Sequence, residues 1–178
     1  MLSTMEKPDP RELLRQFAAT ISKGPLGVID HAPEPWALLT NCIGNVLEKL
    51  QRDGGSPVYG WVFLQRISPE YGPYLIAQYH AVWKAVDSTA PLDITPFHED
   101  EKHRPYAPGG KVLFLVDDAA PPKTLGNAVG PHPSRYFPMN DDPKLAAYTE
   151  QRAAEEKIKT QTIFEGALAT QSASRRPN

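Results

Sequence analysis

The chain has very little cysteine: Cys42 is the only one among 178 residues. No intrachain disulfide can form, and a small secreted scaffold stapled by disulfides is excluded. Long apolar runs are also missing. The opening MLSTMEKPDPRELLRQ is polar and charged where a signal peptide needs an apolar core. No segment approaches the roughly 20 apolar residues of a membrane span. A cytoplasmic location is expected, although export by a signal-independent route leaves no trace in a sequence. An excess of one charge sign is absent as well. With 19 basic and 21 acidic residues the formal charge is -2, and neither nucleic acid nor an anionic membrane surface is expected as a partner. There is no internal repeat, and no heptad run long enough for a coiled coil. Gly109-Gly110-Lys111 lacks the remaining glycines of a phosphate loop, so no nucleotide and no other cofactor is expected.

The length suits one domain with a core of its own, placed at residues 1–167, with 168–178 as a disordered tail. Asp9-Pro10-Arg11-Glu12 combines a cap, a first-turn proline and a capping-box glutamate ahead of Leu13, Leu14, Phe17 and Ile21. A helix is predicted from there to about Ser22, followed by a loop over Lys23–Pro35. Thr40 or Asn41 caps a second helix, with Ile43, Val46, Leu47 and Leu50 on one face and a stop at Gly54-Gly55. Cys42 then lies in its first turn.

From Pro57 the pattern turns to β. PVYGWVFLQRI (57–67) and YLIAQYHAVW (74–83) form a hairpin around the turn-prone 68–73, with LDIT (92–95) and KVLFLV (111–116) as further strands. Residues 117–143 are rich in proline and glycine and read as an irregular excursion. A last helix starts with Asp142 as cap and runs to about Phe164. The expected fold class is therefore α+β: N-terminal helices packed on a mostly antiparallel sheet of about four or five strands, closed by a C-terminal helix.

Three residues of this outline have complementary chemistry. A thiolate is the nucleophilic form of cysteine, and the unpaired N–H groups at a helix start favour it at Cys42. An imidazole in reach, His80 on a strand, lowers the thiol pKa further and later passes its proton to a leaving group. An aspartate on the next strand, Asp93, fixes the ring and stabilises its charged form. The hairpin arithmetic sets His80 directly opposite Asp93, with the turn centred on Val86 and Asp87. Singly, each residue has a bland reading: a buried small thiol, a core histidine, a turn-initiating aspartate. Their consistent order along helix, strand and neighbouring strand is what favours a triad recognised by roles.

NCIGN (41–45), HAVW (80–83) and PLDITP (91–96) resemble the cysteine, histidine and aspartate motifs of the transglutaminase-like branch of the papain-like superfamily. Ile43 and Ile94 stand where that family commonly carries tryptophan and proline. The resemblance covers the span 36–96. It implies a helix packed on an antiparallel sheet with the site at their seam, Cys42 as nucleophile, His80 as general base and acid, and Asp93 as orienting carboxylate. The function it points to is a thiol-dependent acyl-transfer enzyme acting on a protein or peptide amide: a peptidase, amidase, glutamine deamidase or transglutaminase. The oxyanion needs donors. The backbone N–H of Cys42 is one candidate, and the side-chain amide of Asn41, Asn45 or Gln78 the second.

Two other classes compete. One is a non-catalytic binding or immunity-type protein on the same scaffold. The other is a metal-dependent hydrolase built on His80, Asp93, His98 and His103, although the His98–His103 cluster reads better as a solvated loop than as a zinc site. Trp61, Tyr79 and Trp83 read either as core or as a substrate groove. Gly60 inside a strand marks a bulge or a close backbone approach.

Overall fold

A computed structural model describes residues 9–98, 107, 109–125 and 128–174. Helix α1 (Pro10–Ile21) begins where the sequence placed it: the Asp9 carboxylate accepts a hydrogen bond from the Arg11 N–H at 3.0 Å. It buries Leu14, Phe17 and Ala18, the spacing of one helical face. Helix α2 (Cys42–Asp53) ends at Gly54, whose φ of 70° is the left-handed value that glycine adopts freely. Strands β2 (Ser56–Ser68) and β3 (Gly72–Lys84) pair along their whole length, from Ser56 with Lys84 to Ser68 with Gly72. Helix α3 (Pro143–Ser174) starts as expected, with Asp142 accepting from the Lys144 N–H at 2.8 Å. It runs past Phe164 to Ser174, into the stretch 168–178 expected to be a disordered tail, and residues 175–178 lie outside the described part.

The loop expected over Lys23–Pro35 contains strand β1 (Leu26–His31). Flanking Gly24 and Pro25 and an internal Gly27 hide it in the sequence, and only partners distant in the chain make it a strand. Those partners are β5 (Lys111–Val116), antiparallel, and β4 (Leu92–Asp93), parallel. The excursion 117–143 is not wholly irregular either. It holds a two-stranded ribbon, β6 (Lys123–Leu125) with β7 (Ala128–Gly130), and then β8 (Arg135–Pro138), which joins β3.

Among the described residues the main sheet has six strands in the order β2-β5-β1-β4-β3-β8, and the β2–β3 hairpin pairing closes the first five of them into a ring, with β8 attached outside it. α1 and α2 cover one face. There Phe17 packs edge-on to Phe63 of β2 and stacks on Phe137 of β8, while Ile43 and Val46 sit with Trp61, Tyr79 and Ala81. Alternation along the strands turns Val62, Val82 and Phe114 to the opposite face, where they make a smaller cluster. Gly60 forms no bulge, since its pairing with both His80 and Val116 is continuous. It marks a close approach instead: a Cβ there would lie 2.0 Å from the Leu115 carbonyl oxygen. Among the described residues, no helix is long and apolar enough to cross a membrane.

One expectation on register needs correction. Trp83, not Ala81, faces Leu92 across β3 and β4. Asp93 is therefore level with Val82 and two residues along from His80. A shift of two preserves the face, because side chains alternate with a period of two, so the displacement does not separate His80 from Asp93.

Candidate active site

β8 pairs with Tyr74–Ala77 and β4 with Trp83 on the same edge of β3. Between them, residues 78–82 have no strand partner on that side among the described residues. The N-terminus of α2 abuts this gap. Cys42, its first residue, is partly buried, and its sulfur accepts a hydrogen bond from the Ala81 N–H that the gap leaves free. The approach to the helix is tight: Thr40 has a φ of 61°, a left-handed conformation unusual for a β-branched residue. Asn41 is the N-cap, yet its side chain makes no capping bond and instead folds over Gly44.

His80 is buried. Its Nε2 donates to Asp93 Oδ1 at 2.9 Å. With Nε2 committed, Nδ1 is the ring nitrogen left for Cys42, whose side chain lies close enough to feel the His80 charge. Asp93 is fully buried. The same Oδ1 also accepts from the Thr95 N–H at 3.1 Å, and Oδ2 has no hydrogen-bond partner among the described residues. The structure thus brings Cys42, His80 and Asp93 together.

The three groups hold each other charged. Burial pushes the Cys42 thiol up, but the His80 charge, its hydrogen bond and the Ala81 N–H outweigh that and leave the thiol below its ordinary value. Burial pushes His80 down, yet the Asp93 carboxylate and the Cys42 sulfur lift it to about 10. Asp93 is likewise driven up by burial and held below its ordinary value by His80, the Thr95 N–H and His31. Each shift is in the direction that favours the charged form of its group: thiolate, imidazolium and carboxylate.

Of the amide candidates, Asn45 is fully engaged. Its Oδ1 accepts from the Leu38 N–H at 2.8 Å, and its Nδ2 donates to the Leu38 carbonyl at 2.8 Å and to Thr95 Oγ1 at 3.2 Å. Both amide hydrogens are spent, so Asn45 has none to offer an oxyanion. It ties the approach to α2 to the end of β4, which fixes Cys42 relative to Asp93. Asn45→Ala is expected to cost about 2–3 kcal/mol, because buried backbone groups of Leu38 lose their partners. Urea denaturation measures the loss, and slower alkylation of Cys42 accompanies it. Gln78 differs: it lines the cavity with Cys42 and His80, and its side chain makes no hydrogen bond to a described residue.

Other contributors escaped the sequence reading. His31, on the unexpected β1, pairs with Asp93, donates from Nε2 to the Thr95 carbonyl at 2.8 Å and stacks on Phe97 with ring centroids 3.7 Å apart. Only its position near other polar residues signalled it, and a loop assignment hid the pairing. Tyr79 bonds the Ala120 carbonyl at 2.8 Å and lines the cavity. Trp61 is core, its Nε1 donating to Asp117 at 2.8 Å. Trp83 bonds the Gly54 carbonyl away from the site. Of the proposed metal set, His103 lies outside the described residues. Among the described residues no three histidine, cysteine or acidic side chains converge as metal ligands do. No protein-family model matches the chain, and no curated protein or solved structure is significantly similar to it.

Proposed function

We propose that the protein is a cysteine-dependent acyl-transfer enzyme of the papain/transglutaminase-like kind, acting on a protein or peptide amide. The observation that carries this reading is that Cys42 and His80 line one cavity while the buried His80 is hydrogen-bonded to the buried Asp93 at 2.9 Å. The Cys42 thiolate attacks the amide carbon and forms the C–S bond, sending the carbonyl electrons onto oxygen. The Cys42 backbone N–H, at the start of α2, and the Gln78 amide stabilise that oxyanion. As the C–N bond breaks, the imidazolium of His80 gives its proton to the leaving amine. Water or an amine then attacks the thioester, His80 takes its proton, and the thiolate is released. Asp93 keeps the ring oriented throughout. Hydrolysis, deamidation and transamidation share this acyl-enzyme and differ only in the acceptor.

The acyl-enzyme is the test. Acid quenching during incubation with a mixture of peptide amides is expected to trap a thioester on Cys42, visible as a mass increase on the peptide that contains it. Cys42→Ala removes the adduct. A wild-type protein that forms no more adduct than Cys42→Ala excludes acyl transfer and leaves a binding protein on this scaffold.

A further inference from the structure

Cys42 lies between two hollows that share Thr40, Cys42, Tyr79 and Pro131. The first, about 270 Å³, is walled by Ile43, Leu47 and Val129 and is apolar. The second, about 300 Å³, passes Gln78 and His80 and ends on α3 at Glu156 and Thr160. That volume is at the small end of ligand-binding pockets.

Residues 153–157 look in the sequence like a solvated helix face, but Glu156 is half-buried and turned into the second hollow. Its carboxylate has no hydrogen bond and no ion pair with any described residue. Arg152, one turn earlier on the helix, pairs with Glu155 at 2.9 Å, and no ion pair joins Glu156 to Lys157 or Lys159. Among the described residues no lysine or arginine lines the hollow. Its two imidazoles do not balance Glu156 either. His80 is already faced by Asp93 and Cys42, and His132 has its Nε2 on the Pro121 carbonyl at 2.7 Å. A half-buried carboxylate with no counter-charge among the described residues, in a space joined to the Cys42 sulfur, is complementary to a cation.

We propose that Glu156 is a specificity-determining residue that binds the ammonium or guanidinium of a cationic amide substrate, seating it in this hollow while Cys42 meets its carbonyl. The inference rests on the acyl-transfer reading. A charge-assisted hydrogen bond of this kind favours the cation by about tenfold over a neutral isostere.

Chloroacetyl-lysinamide and chloroacetyl-norleucinamide present the same electrophile to Cys42, with and without an ammonium. The ratio of their alkylation rates, taken within each protein, cancels any general change in thiol reactivity. At low salt the lysine reagent is expected to lead by about tenfold in the wild type, to lose that lead in Glu156→Gln, and to fall behind in Glu156→Lys. Reversal by the lysine variant is a signature that misfolding does not produce. Equal ratios in all three proteins overturn the Glu156 assignment, while His80-dependent alkylation by the norleucine reagent shows the thiol site to be intact. A Cys42 that reacts with neither reagent faster than a free peptide thiol overturns both.

Discussion

Iodoacetamide alkylates Cys42 at pH 6.5 on the order of 100-fold faster in the wild type than in His80→Ala; that is the expected result, and its arithmetic is short. An ordinary thiol is only about 1 % ionised at that pH, whereas the thiolate of Cys42 is held by His80 and the Ala81 N–H. A less basic thiolate is a somewhat weaker nucleophile, which trims the ratio. Burial and the Asp93 carboxylate push an unpaired Cys42 upward, which widens it again. The pH profiles differ in shape. Because its thiol pKa is lowered, the wild-type rate begins to fall at a lower pH than the variant's. The variant's rate climbs about tenfold per pH unit toward the ordinary thiol range. His80, lifted to about 10, remains an imidazolium across the whole interval. Equal rates in the two proteins remove the thiol-enzyme reading.

The second large effect belongs to Asp93. Taking one member from a buried ion pair strands the other, so Asp93→Ala is expected to lose about 3–5 kcal/mol of unfolding free energy. The double variant Asp93→Ala/His80→Ala loses less than the sum of the two single changes, by about 2 kcal/mol, since neither charge is then stranded. Urea titrations of the four proteins give both numbers, and strict additivity contradicts the pairing. The pH dependence follows from the shifts. Asp93, held below 3.8 in the fold, stabilises it above that pH, and the contribution is lost as pH falls through its folded value. His80, raised from 6.5 to about 10, contributes fully below 6.5 and progressively less up to about 10. The deficit of Asp93→Ala is thus greatest between about pH 3.8 and 6.5. Cys42 is lowered from 9.0 and contributes in the opposite sense, most strongly above that pH. It flattens the alkaline side of the curve.

These contrasts show why part of the molecule is readable from its residues. α1, α2, the β2–β3 hairpin and the start of α3 are written in local patterns: Asp9-Pro10, Gly54-Gly55, the turn at 68–73 and Asp142-Pro143. β1 is not, because a strand broken by Gly27 acquires its partners only from residues 92–93 and 111–115. The same limit applies to the site. Cys42, His80 and Asp93 stand out by chemical type, and their common face survives a register error of two. Asn45 drew notice as a donor, whereas its two bonds to Leu38 and one to Thr95 make it a clamp. Glu156 is indistinguishable in sequence from its neighbour Glu155, since only the packing of α3 beside β8 decides which of them sees the cavity.

Cys42 precedes the hairpin, His80 is inside it and Asp93 follows it, on a strand of only two residues that acts as the keystone of the ring. The hairpin is local in the chain, whereas the keystone strand takes a partner from β1, far away along the polypeptide, as well as from β3. Cys42, His80 and Asp93 therefore come together only in the assembled fold, so the chemistry proposed for them depends on contacts that no short piece of the chain can supply.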